Sequence, residues 1–124
     1  MDNRDFLTAL IRSEQDHGIV ATLHRYFGSN IKIHLNYSGS LCETGIDELQ
    51  LSVRSWNALR RAGIDTVGQL ISTINNEQLM KIRNLGRISM SEIKTKLMML
   101  GFQALSPTGK TIFYQFLIEN NKPL

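Results

Sequence analysis

The stretch IDELQLSVRSWNALRRAGIDTVGQLISTINNEQLMKIRNLGRISMSEIKTKLMMLGF, Ile46 to Phe102, decides the fold. Its pivot is Ile82-Arg83-Asn84-Leu85-Gly86-Arg87, a short glycine turn between two amphipathic patterns. Apolar spacing predicts a helix over Asn76–Arg83 before the turn and another over Arg87–Leu100 after it. Helix, tight turn and helix make the layout of a helix-hairpin-helix. Upstream, Val53–Ala62 reads as a helix and Val67–Ile71 as a looser one. Asp65-Thr66 and Asn75-Asn76 offer capping oxygens, while Gly63 and Gly101 offer stops. Leu49, Leu51, Leu59, Ile64, Val67, Leu70, Leu79, Ile82, Leu85, Ile93 and Leu97 then build the core.

The hairpin has a definite chemistry. A helix beginning near Arg87 leaves its first amides without partners inside the helix. Gly86 lets a ligand approach that backbone with no side chain in the way. Amides at a helix start, aided by the helix dipole, bind anions, and a phosphate is the usual one. Asn84 and Ser89 can add side-chain hydrogen bonds, and Arg83, Arg87, Lys94 and Lys96 add attraction independent of sequence. The plainer alternative is a structural joint between two core helices. In the upstream helix, Arg54 and Asn57 are three apart and share a face. An arginine beside an amide suits a narrow minor groove, where negative potential concentrates and few acceptors are readable. Arg60 and Arg61 extend the positive surface. A solvated helix face is the alternative, but two separate elements make the same demand.

Outside this stretch the patterns are simpler. Asp5 to about Arg12 reads as a helix carrying Phe6, Leu7, Leu10 and Ile11. After Gly18 a second stripe carries Ile19, Val20, Leu23, Tyr26 and Phe27. Residues 31–37 alternate, with Ile31, Ile33, Leu35 and Tyr37 on one side and Lys32, His34 and Asn36 on the other. That is a strand pattern, or an extended loop if no partner strand exists. Ser38–Gly45 is turn-rich and reads as a linker. Ser106-Pro107 starts a final helix to about Asn120, with a strand over Ile112–Ile118 as the alternative. The expectation is a mainly α protein in three parts. These are an N-terminal accessory segment over 1–45, a compact helix-hairpin-helix domain over 46–103, and a helical tail over 104–124.

Composition narrows the function. The 124 residues carry a net charge of +3. Residues 47–103 hold eight Arg and Lys against five Asp and Glu, so the excess lies in the hairpin region, as a polyanion binder would have it. No apolar run approaches the roughly 18–20 residues that a membrane-spanning helix needs. Asp2 and Asp5 stand where a secretory leader would carry basic residues, so export is not expected. One cysteine, Cys42, makes no internal disulfide and fits a reducing cytoplasm. Ala104–Thr111 satisfies a loose phosphate-loop pattern, A-x-x-x-x-G-K-T, without the strand such a loop must follow. His17, His24, His34 and Cys42 match no common metal spacing. No nucleophile has a base and an orienting partner, so no catalysis, cofactor or metal is expected.

In order and spacing, DELQLSVRSWNALRRAGIDTVGQL, KIRNLGR and SMSEIKTKL resemble the C-terminal domain of the bacterial RNA polymerase alpha subunit. The resemblance implies a compact helical domain docking in the minor groove of A/T-rich upstream promoter DNA. By it, Arg54 is the principal groove residue. Asn57, Asn84, Gly86, Ser89 and Glu92 complete the DNA-facing set, with Glu92 orienting other groups, and Arg87 joins them from the reading of the hairpin itself. Sigma factor, RNA polymerase and transcription regulators are the partners it implies, with Asp47 and Glu48 as a partner-facing acidic surface. Gln50 stands where that patch is often acidic, and Ile88 where a lysine is frequent. The family's assembly domain has no counterpart in residues 1–45. The expectation is therefore a freestanding cytoplasmic module in the bacterial cytosol or nucleoid, with homodimerisation through 1–45 as an added role. A protein-interaction adaptor without its own DNA role is the alternative.

Overall fold

The structure, a computed structural model, describes residues 2–124. Its helices are α1 (Asn3–His17), α2 (Ile19–Phe27), α3 (Gly39–Cys42), α4 (Val53–Arg61), α5 (Val67–Asn75), α6 (Arg87–Gln103) and α7 (Pro107–Asn120). Single 3-10 turns occupy Ile46–Leu49 and Leu79–Lys81. No helix among the described residues is long and apolar enough to cross a membrane. The protein divides into two compact units, one of residues 36–100 and one of residues up to 35 together with 101–124.

The unit over 36–100 is built on Ile46, Leu49, Ala58, Leu59, Ile64, Val67, Leu70, Leu79, Leu85, Ile93 and Leu97. Leu51 and Ile82, expected in the core, pack against it half-buried. Helix starts follow local chemistry: the Ser52 hydroxyl accepts from the Ser55 amide, and Thr66 and Gln69 form a reciprocal capping box. Gly63, at φ 81°, ends α4 as expected. Ser38–Gly45, read as a linker, is folded: it contains α3, which packs on α5. A Cβ on Gly68 of α5 would sit 3.1 Å from both the Cβ and the carbonyl oxygen of Cys42, so glycine permits this approach. Tyr37 fastens the start of the unit by donating to the Leu97 carbonyl at 2.9 Å. Burial, with a smaller contribution from Cys42, pushes its phenol up to about 12.

The expected helix over Asn76–Arg83 does not form. Asn76 closes α5 at its C-terminus instead of starting a helix, and Glu77 adopts φ 57°, which reverses the backbone's hand. Only the 3-10 turn Leu79–Lys81 remains before the hairpin, placing Leu79 in the core. Conversely, Gly101 does not stop α6, which runs on to Gln103. The extra turn carries Phe102, 1% exposed, into contact with Phe113 and Tyr114, and that burial outweighs the cost of about 1 kcal/mol for a helical glycine.

In the other unit, α1 packs on both α2 and α7. Helix α1 runs five residues past Arg12, to His17. One residue, Gly18 at φ 85°, joins it to α2. Phe6 stacks on Phe27 with centroids 5.6 Å apart. The buried Ser13 and Thr22 hydroxyls bond at 2.8 Å, and Thr22 also donates to the Gly18 carbonyl. The alternation over 31–37 forms no strand. Asn121 supplies what a neighbouring strand would: its Oδ1 accepts from the Lys32 amide at 2.6 Å and its Nδ2 donates to the Lys32 carbonyl at 2.8 Å. Over 112–118 the helix is formed, capped by Ser106 with Pro107 in its first turn. The phosphate-loop-like Ala104–Thr111 is thus a joint between helices, with the Lys110 ammonium 4.9 Å from the Phe102 ring centre.

Candidate nucleic-acid interface

Within residues 36–100, the starts of α4 and α6 are tied together by one carboxylate. Glu92 lies in the second turn of α6, and its Oε2 accepts from the Ser52 amide at 2.8 Å. Its Oε1 accepts from the Ser52 hydroxyl at 2.9 Å and from the Ser55 hydroxyl at 2.5 Å. Glu92 therefore caps α4, a helix 40 residues away in sequence. Burial works against the charge on Glu92. Hydrogen bonds from the Ser55 side chain and from the Ser52 amide and hydroxyl, with Lys96 nearby, outweigh it and hold the carboxyl below its ordinary value. Ser55 is wholly buried, so neither hydroxyl nor carboxylate can leave this arrangement without losing partners.

Two residues beyond the cap, Arg54 is exposed, and Asn57 is half-buried one turn further on. Asn84, Gly86 and Arg87 are also exposed. Ser89 is only 8% exposed, so its side chain is open only to a group pressed against the start of α6. Among the described residues the only ion pair is Arg60–Asp65 at 3.2 Å; Arg54, Arg83 and Arg87 have no carboxylate partner.

The turn is made differently from the glycine-centred reading. Asn84, at φ 68°, takes the left-handed conformation within the turn. Gly86 has no positive φ, and a Cβ built on it meets nothing within 4 Å. Neither backbone strain nor crowding inside the protein explains a glycine there. Gly86 also has no side chain with which to cap α6, and its carbonyl accepts from the Met90 amide. Among the described residues no loop carbonyl accepts from the amides of Arg87, Ile88 or Ser89. An open helix start of this kind suits an anion.

The expected acidic partner surface divides. Glu48 is exposed, whereas Asp47 accepts from the Trp56 indole at 2.6 Å, and Arg60 lies over the Trp56 ring at 5.1 Å. Trp56 therefore packs within the unit rather than standing free beside Arg54. Sequence reasoning missed the two serines. The run Ser52-x-x-Ser55 signals a helix cap, but nothing local shows that its acceptor comes from α6.

Residues 37–99 match a protein family described as the C-terminal domain of the bacterial RNA polymerase alpha chain. Among similar proteins, a DNA-directed RNA polymerase subunit alpha of Symbiobacterium thermophilum is 51% identical over 67 residues, covering 54% of this chain and 21% of that protein. The subunit of the same name from Desulforudis audaxviator is 56% identical over 61 residues, 49% of this chain and 19% of its own. That of Bacillus velezensis is 56% identical over 59 residues, 48% and 18% respectively. The matched part thus spans about a fifth of the length of these relatives.

Proposed function

Because the protein belongs to the family of the C-terminal domain of the bacterial RNA polymerase alpha subunit, we propose that it is a non-catalytic DNA-binding module of transcription. In this reading Arg54 enters the minor groove of A/T-rich duplex, Asn57 and Asn84 flank it, and the amides after Gly86 grip a phosphate beside Arg87. Glu92 touches no DNA and holds the two helix starts in register. Ser89 contributes only where the backbone lies closest to α6. RNA polymerase, sigma factor or a transcription regulator are the partners proposed, with Glu48 as the free acidic contact.

One observation carries the reading. Arg54 and Arg87 each occupy the first turn of a helix, where the dipole favours acidic residues, and neither first turn holds an acidic residue. Local stability argues against arginine at both places. A polyanion lying across both starts reverses the sign of that electrostatics.

Binding of the whole protein to A/T-rich and G/C-rich duplexes, followed by fluorescence anisotropy across a salt series, tests this. Preference for A/T-rich DNA is expected, with log K falling against log salt at a slope of roughly −3 for three cations engaged. Equal affinities for the two duplexes would refute groove readout, and capture of polymerase components without DNA binding would favour the adaptor.

Gly86→Ala makes a sharper local test. Removing glycine's freedom in the unfolded state gains about 0.4–1 kcal/mol, and alanine is a poorer helix cap by a similar amount, so the melting temperature moves by no more than a few degrees. Duplex binding is expected to weaken about tenfold, because the added methyl group stands where a phosphate must approach the amides. Undiminished binding would show that the hairpin is only a joint.

A further inference from the structure

Ile88 and Val53 are 89% and 75% exposed, both large, apolar and β-branched. Each occupies the first turn of a helix, Val53 directly after Ser52 and Ile88 directly after Arg87. Glu92 links the two helix starts, because it holds Ser52 and lies one turn along α6 from Ile88, on the same face. A lone exposed apolar residue needs no explanation. Two at tethered helix starts, each next in sequence to an arginine with no carboxylate partner, set apolar surface beside positive charge at both starts. Helix propensity does not account for them, since β-branched residues are poor helix formers at exposed positions.

We propose that Ile88, with Val53 beside it, is an affinity- and specificity-determining contact to the deoxyribose walls of the minor groove. This rests on the reading of the face as a DNA interface. The charged rim selects a polyanion as the occupant. An aliphatic group can neither donate to phosphate nor hydrogen-bond a base edge, and thymine methyl groups lie in the other groove. The apolar surface left within reach is the C–H face of the sugars. Covering Ile88 there removes it from water and adds affinity that does not depend on salt. Sugar walls stand closest where the groove is narrow, as in A/T tracts, so the contact also discriminates by shape. Arg54 reads the potential of the groove, and Ile88 reads its width.

The test compares the whole protein with Ile88→Ser, Ile88→Lys and Arg54→Ala, titrated by anisotropy into A/T-rich and G/C-rich duplexes over a salt series. Circular dichroism melts accompany each variant, and the exposure of Ile88 makes folding of both Ile88 variants secure. Ile88→Ser is expected to weaken A/T-rich binding about tenfold with an unchanged salt slope, and to narrow the preference over G/C-rich duplex. Ile88→Lys is expected to steepen the slope by about 0.9, trading salt-independent for salt-dependent affinity. If Ile88→Ser binds within about twofold of the unaltered protein while Arg54→Ala loses binding, the sugar contact is refuted and the DNA interface stands. If the unaltered protein binds neither duplex, the interface and the contact fall together.

Discussion

Arg54→Ala is expected to weaken binding to A/T-rich duplex roughly 100-fold, the effect of removing a multiply bonded arginine from a groove. Its melting temperature should stay unchanged or rise slightly. The side chain is exposed, has no carboxylate partner and sits at the end of α4 where a positive charge is locally unfavourable. Loss of function with gain of stability separates a ligand-binding arginine from a structural one. Arg60→Ala provides the contrast, since Arg60 is engaged with Asp65 and Trp56 and lies in the last turn of the same helix. It should change stability by less than about 1 kcal/mol and affinity by a modest electrostatic amount. Equal losses of binding in the two variants would mean that charge alone is being read.

Removing a negative charge from a DNA-binding face ordinarily strengthens binding; for Glu92→Ala the opposite is expected. The carboxylate accepts three hydrogen bonds from Ser52 and Ser55, and without it the start of α4 loses its anchor to α6. A loss of about 2 kcal/mol of stability is expected, with affinity for A/T-rich duplex down about tenfold because Arg54 is no longer held beside the hairpin. Glu92→Gln keeps the shape and should lose about half as much stability. Stronger duplex binding by Glu92→Ala would show that the residue acts only by its charge.

The pH dependence follows from the depressed carboxyl of Glu92. The folded protein takes up this proton less readily than the unfolded one, whose carboxyl titrates near 4.5. Its stabilisation is therefore complete above that pH and is lost as pH falls through the lower, folded value. Thermal melts of the unaltered protein and Glu92→Gln should differ most near neutrality and converge in acid. A difference that persists undiminished to low pH would assign it to shape rather than charge.

Where a segment's own neighbours determine conformation, the sequence was readable. Thr66 and Ser106 start helices with their own hydroxyls, Pro107 fits a first turn, and Gly63 ends α4. Nine of the eleven expected core residues are buried, because apolar periodicity records a preference for leaving water. The failures have a different origin. Helical spacing over Asn76–Arg83 was real, but Glu77 crosses to the left-handed region and the segment contributes Leu79 through a single 3-10 turn. Gly101 has the local character of a stop, yet burial of Phe102 carries α6 beyond it. Alternation over 31–37 marked a segment that forms neither helix nor strand, without revealing that Asn121 would satisfy the backbone groups of Lys32.

By itself, the sequence determined the helical composition, the core of residues 36–100, the family, and the two basic elements from which a phosphate and groove interface can be built. These properties depend on residue type and spacing, which act through local hydrogen bonds and through transfer out of water. Only the tertiary structure decided how the starts of α4 and α6 are tied together. It showed that Asn84, not Gly86, bears the left-handed turn, leaving a glycine with no internal reason to be one. It also showed that Glu92 reaches across 40 residues to cap α4, and that Ile88 and Val53 stand in solvent at the two helix starts this links. A hydrogen bond between distant residues leaves no periodic trace in the sequence, since its geometry exists only after the core has placed both helices.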